Sequence, residues 1–142
     1  MLLSTTPVAY AQNQVPYCSN AYAWPDVLDS TGKMVPVEIL GVTDPDGDPI
    51  SITVNSITSD EATATEKGCG GPNKAPDADG LGTSSAIVRG ERSGQGDGRV
   101  YVIAFYAEDG AGGSCSGSVV VYVPKKGFSV DSGQKYDATK IN

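Results

Sequence analysis

Apolar and polar residues alternate along most of this chain, and turns break the alternation about every ten residues, the signature of an antiparallel sandwich. The segment Ile50-Ser51-Ile52-Thr53-Val54-Asn55-Ser56-Ile57 alternates strictly and sets Ile50, Ile52 and Val54 on one face. Met34–Leu40 alternates more loosely, and Ser85–Glu91 is a shorter strand. Arg99–Ala107 (RVYVIAFYA) and Ser116–Val123 (SGSVVVYV) are β-branched and aromatic, which suits central strands. Glycine- and aspartate-rich turns separate them at Asp44–Pro49, Ser93–Gly98 and Glu108–Gly113. No segment carries a helical period. With Ser19–Trp24 as a first strand, the pattern predicts an all-β antiparallel sandwich of about seven strands.

The 142 residues fit one domain with extended arms, and 39% hydrophobic content allows a modest core. The chain has no histidine, which excludes Ser-His-Asp and Cys-His catalysis and histidine metal ligands. Ten basic against 17 acidic residues leave a net charge of −7, which argues against a nucleic-acid partner. No apolar run is long enough for a membrane span. Cys18, Cys69 and Cys115 lie far apart without metal-ligand spacing, which suits an oxidising, extracellular or cell-surface location.

The organisation expected is an N-terminal arm (1–17), a sandwich (18–124) and a C-terminal tail (125–142). Ala9-Tyr10-Ala11 is a small-x-small pattern, so the first residues read either as an arm of the mature protein or as a signal remnant. Residues 62–82 read as one long loop. If successive strands alternate direction, Asp44–Pro49 and Ser93–Gly98 share one end with Cys18 and Pro124. Asp60–Gly82 and Glu108–Cys115 then share the other. This parity predicts a Cys69–Cys115 disulfide, with Cys18 free or joined to another chain.

Asp44, Asp46 and Asp48 alternate around Gly47 and offer oxygen ligands to Ca²⁺, with Asp97 as an added ligand from the same end. Asp60, Glu61, Glu108 and Asp109 form a second candidate cluster, with Asp77 and Asp79 near it. Turn chemistry alone also explains both groups. Acidic pairs on small-sandwich turns lack the fixed cleft that a catalytic carboxylate pair needs, so the chain is not expected to be an enzyme. Trp24 is expected in the core or as a strand-end plug, the other use being to stack with Tyr22 on a sugar. Arg89, Glu91, Arg92 and Arg99 suggest cross-strand ion pairs on a solvated face.

Val42-Thr43-Asp44-Pro45-Asp46-Gly47-Asp48-Pro49, Arg89–Gly94, Gly98-Arg99-Val100-Tyr101 and Asp109–Gly117 occur in that order. Together they resemble the immunoglobulin-like and cadherin-like β-sandwich modules of bacterial secreted and cell-surface proteins, over about Cys18–Val123. Related modules often carry a late cysteine suited to pair with one at the module's start, where this chain reads Val119–Val123. The resemblance thus implies that Cys18 lacks a partner within the domain. A single module with two arms also looks like a filament subunit whose N-terminal strand completes the next copy. The arm residues concerned are Leu2, Leu3, Val8, Tyr10, Val15 and Tyr17, with Pro7 and Pro16 limiting the pairing. The expected function is a structural subunit of an extracellular fibre, its partners further copies of itself and its expected cofactor Ca²⁺. The alternative is a cadherin-like adhesion or carbohydrate-binding module that meets surface glycans.

Overall fold

A computed structural model describes residues 11–65 and 71–142. In chain order its strands are β1 (Tyr22–Trp24), β2 (Met34–Leu40), β3 (Ser51–Ser59), β4 (Ala78–Asp79), β5 (Ser85–Arg89), β6 (Arg99–Glu108), β7 (Ser114–Val123) and β8 (Tyr136–Asp137). They form two antiparallel four-stranded sheets, ordered β1-β2-β5-β4 and β7-β6-β3-β8. The first seven strands have the order of a constant-type immunoglobulin sandwich, and β8 extends the second sheet beside β3. Among the described residues there is no α-helix, only a 3₁₀ turn at Gly71–Lys74.

The inner faces follow the alternation. Val37 and Ile39 of β2 and Ala86 and Val88 of β5 are buried against Tyr101, Ile103, Phe105 and Ala107 of β6 and Val119, Val121 and Val123 of β7. Strict alternation along β3 would turn Ile57 away from Val54. Instead the β3–β6 register shifts between Val54 and Ser56, so Asn55 is the extra residue of a bulge. The bulge turns Ile57 back inwards, and both Val54 and Ile57 are buried.

The parity expected of the loops fails at one place. Residues 62–82 are not a plain loop: β4 lies within them and pairs antiparallel with β5. This two-residue strand adds one reversal of direction, so β5 starts at the end where β3 starts. Every later turn therefore changes ends. Ser51 of β3 faces Glu108, and Ser59 faces Tyr101. The Asp44–Pro49 turn consequently lies with Glu108–Gly113, and Asp60 lies with the Ser93–Gly98 turn. Cys115 emerges beside Cys18, and the two form a disulfide that joins the segment before β1 to β7. The expected Cys69–Cys115 bond is thus replaced, and Cys18 is neither free nor intermolecular. Cys69 lies outside the described residues.

The C-terminal segment is part of the sandwich rather than a loose tail. Tyr136 and Asp137 pair with Ser59 and Thr58, and Ala138 is buried with its N–H on the Ile57 carbonyl (2.9 Å). Asn142 accepts at its carbonyl from the N–H groups of Ala64 and Thr65, and its side chain accepts from Thr63 N–H. The chain thus enters the sandwich at the Cys18 end, and Asn142 sits at the opposite end.

The disulfide encloses a separation of 97 residues. Replacing both cysteines (Cys18→Ser with Cys115→Ser) is expected to lower stability by about 2–5 kcal/mol in denaturant titration. Non-reducing peptide mapping should recover a Cys18–Cys115 cross-link, and a Cys69–Cys115 peptide would contradict the pairing.

Candidate functional site

The acidic turn is built on Asp44. Its Oδ1 accepts from the N–H groups of Asp46 (2.9 Å) and Asp48 (3.1 Å), closing the loop around Gly47, whose φ of +74° suits glycine. One oxygen from each of Asp44, Asp46 and Asp48 lies within 4.8 Å of the others. Asp44 Oδ2 is buried without a hydrogen-bond partner. An orphaned carboxylate oxygen beside two more carboxylates fits a hard cation, which takes six to eight oxygen ligands. Desolvation, then the charges of Asp44, Asp109 and Asp46, raise the Asp48 pKa from its ordinary value.

Asp109 stands next to this turn but is already engaged. It accepts from Asn13 Nδ2 (2.7 Å) and from the N–H groups of Ala111 and Gly113. These bonds, Asn13 first, hold its pKa down. The described part of the N-terminal arm therefore docks on the acidic end. Gln14 N–H donates to Asp46 Oδ2 (2.7 Å), and Tyr17 exchanges two backbone bonds with Thr43. Val15 and Tyr17 are exposed. Leu2, Leu3, Val8 and Tyr10 lie outside the described residues.

Two expected groupings come apart. Asp97 is not near Asp44, because it precedes the start of β6 at the other end, where its carbonyl accepts from Val130 N–H. Glu108 and Asp109 are likewise separated from Asp60 and Glu61 by the length of β6. The cause is again the reversal at β4.

Asp60 and Glu61 belong to a buried network rather than to a solvated turn. Asp60 accepts from Val100 N–H (2.8 Å) and Ser132 N–H, and burial raises its pKa despite these bonds. Glu61 accepts from Ser93 N–H (2.7 Å) and Arg99 Nε (3.3 Å). Arg99 is 0% exposed, and it donates to Asp77, to Tyr101 Oη (3.1 Å) and to the Ala62 carbonyl (3.0 Å). Arg89 donates to the other oxygen of Asp77 (3.0 Å) and to the Gly32 carbonyl (2.8 Å). Glu91 Oε2 lies 3.8 Å from Arg89 Nε. The expected solvated ion pairs are therefore mostly buried. Asp77, the centre of the network, was expected only as a neighbour of loop carboxylates. Arg99 was readable in principle, since it shares the inward parity of Tyr101, Ile103, Phe105 and Ala107.

Trp24 also departs from expectation. It is 61% exposed and Tyr22 is 52% exposed, while Ala23 between them is buried. A three-residue strand presents one residue inwards and two outwards, and here alanine takes the core position.

No family model matches the chain, and no curated protein matches it. Among solved structures, the chain is similar to a nucleoside hydrolase-related hypothetical protein from Saccharophagus degradans that is associated with carbohydrate metabolism. The TM-score is 0.40 at 18% identity, over 77% of this chain and 25% of that one, a likeness too slight to carry an argument.

The network sets three carboxylates (Glu61, Asp77, Glu91) against two guanidinium groups, so one acid is in excess. Burial, then the Asp77 charge, pushes Glu91 up to about 7 from 4.5, against the pull of Arg99 and Arg89. A folded-state pKa above the unfolded one means that the stability is fully present below pH 4.5 and is lost as pH rises to about 7. Glu91→Gln should therefore match the wild type near the lower limit and exceed it at pH 8. The gain expected in denaturant titration is roughly 1–3 kcal/mol, a tenfold change in proton affinity being about 1.4 kcal/mol.

Proposed function

We propose that this protein is a structural module of an extracellular fibre, arranged head to tail, with the Asp44–Asp48 turn as a Ca²⁺ site at the junction. The observation that carries this reading is the path of the chain. It enters beside Thr43 and Cys115 and brings Asn142 to the opposite end, beside Thr63 and Ala64. Copies or neighbouring modules can therefore stack in series along the strand direction, an open arrangement that extends without closing.

The arm gives the junction its chemistry. Asn13 and Gln14 tie it to Asp109 and Asp46. Strand donation by the residues preceding Asn13 is the form of assembly proposed. Asp44, Asp46 and Asp48 supply three carboxylates, fewer than the six to eight oxygens that Ca²⁺ takes. Water or oxygens from the adjoining copy complete the set, and bound Ca²⁺ offsets the repulsion within the acidic turn. The cysteine pair suits an oxidising location outside the cell.

Negative-stain electron microscopy of the purified protein, in Ca²⁺ and then in EGTA, tests the reading. Filaments in Ca²⁺ that shorten or disperse in EGTA are expected, and a variant lacking residues 1–10 should stay dispersed. Dispersed monomers in both conditions would count against assembly by this chain. Calorimetric titration with Ca²⁺ should give a signal that Asp44→Asn together with Asp48→Asn reduces at least tenfold. Because the Asp48 pKa is raised, the affinity should still be growing stronger as pH rises above the ordinary carboxylate value.

A further inference from the structure

Strand β1 leaves two aromatic rings on the surface, and what surrounds them distinguishes them from scattered exposed residues. Tyr22 and Trp24 occupy alternate positions of one strand, so they share a face about 6.6 Å apart at the usual strand rise. β1 is an edge strand, so the row is open along one side. The Tyr22 ring is seated on the backbone at Gly41, where an added Cβ would stand 3.0 Å from Tyr22 Cδ1. Glycine is required there, with φ of +86° and the Asn20 carbonyl already in contact range.

Register places Glu38 directly beside Trp24 on one side and beside Ser85 on the other. Leu40 stands beside Tyr22. A cavity of about 530 Å³ touched by Glu38, Leu40 and Ser85 also takes in Ile39, Ile50 and Ile52, so it opens between the two sheets and neither aromatic ring lines it. The polar groups that share the face of the two rings are the Glu38 carboxylate and, one strand further, the Ser85 hydroxyl. Neither β1 nor β2 carries a lysine or arginine, and Arg89, at the far end of β5, is held by Asp77.

We propose that this surface is a binding site for a neutral glycan, whose pyranose rings stack on Tyr22 and Trp24 and whose hydroxyls donate to Glu38. The charge of the surface selects the ligand. An uncompensated carboxylate, on a chain of net charge −7, repels acidic glycans, phosphates and acidic peptides. A hydroxyl-rich neutral ligand satisfies Glu38 and Ser85 while its C–H faces cover the rings. A predominantly apolar partner would instead leave the Glu38 carboxylate desolvated and unpaired, at a cost. The site lies on the outer face of the first sheet and is independent of the fibre reading.

Trp24 is the only tryptophan of the chain, so its emission reports the site directly. The protein is titrated with neutral gluco-, xylo-, manno- and chito-oligosaccharides while emission and heat are followed. At least one series should give a saturable blue shift. Tyr22→Ala should weaken that series tenfold or more, Glu38→Gln several-fold, and Trp24→Ala should remove the heat signal. Phe128→Ala, an exposed aromatic away from β1, should bind as the wild type does. These side chains are exposed, so the fold does not depend on them, and matching circular dichroism spectra verify this. The proposal is overturned if no series changes emission or heat, or if Tyr22→Ala and Trp24→Ala bind as tightly as the wild type. It is also overturned if sedimentation shows that the surface is covered by a second copy in a dimer that Trp24→Ala dissolves.

Discussion

The fold turns on a charge pair that no water reaches. The Arg99 and Asp77 side chains are both fully buried and bonded to each other. Removing two such charges from water costs several kcal/mol per ion, so the pair is tolerable only if its remaining valences are met. They are met by Tyr101, Glu61 and the Ala62 carbonyl around Arg99, and by Arg89 across Asp77. The backbone of Asp77 is used as well, accepting from Arg89 N–H and donating to the Ala138 carbonyl. One residue therefore ties together β4, β5, β6 and the segment that carries β8. Fixing Asp77 fixes where β4 lies, and β4 sets the direction in which β5 begins. The position of every later turn follows, including the one that delivers Cys115 to Cys18.

The two ends of the sandwich handle negative charge in opposite ways. At the end holding Asp60, Glu61, Asp77 and Glu91, the carboxylates are buried, and arginines and backbone N–H groups meet all of them but the excess acid at Glu91. At the end holding Asp44, Asp46 and Asp48 no arginine or lysine pairs with them among the described residues, and the N-terminal arm supplies only backbone and amide donors. Charge at the first end is spent on holding strands in place. At the second the carboxylates are placed where they could meet an external cation.

Much of the architecture was legible because period-2 patterning survives on β2, β6 and β7, and glycine and aspartate mark the turns. What escaped has identifiable causes. β4 has two residues and no alternation to detect, yet it reversed the parity on which the cysteine pairing and the placement of Asp97 were argued. The bulge at Asn55 breaks the register without a distinctive residue. Arg99 carried a usable signal, since it opens the inward row of β6, but an arginine beside a glycine-rich turn reads more readily as solvated. Trp24 was expected in the core or as a strand-end plug, whereas the two-residue period and a neighbouring alanine put it outside. Asp44, Asp46 and Asp48 come together because they lie within one short turn, whereas Asp97, grouped with them by parity, does not join them. The groupings that needed long-range topology were the ones that failed.

The Cys18–Cys115 bond also determines how the molecule meets tension. A pull applied through the arm before Cys18 and through the segment around Asn142 would pass from the arm directly into β7. The chain between the two cysteines, a separation of 97 residues, lies in parallel with a covalent bond and cannot be drawn out. Only residues 116–142 remain in series with the load. In oxidised form most of the sandwich is therefore mechanically silent, and its extension under force is limited to the last strands. Reduction would return the whole chain to the load path.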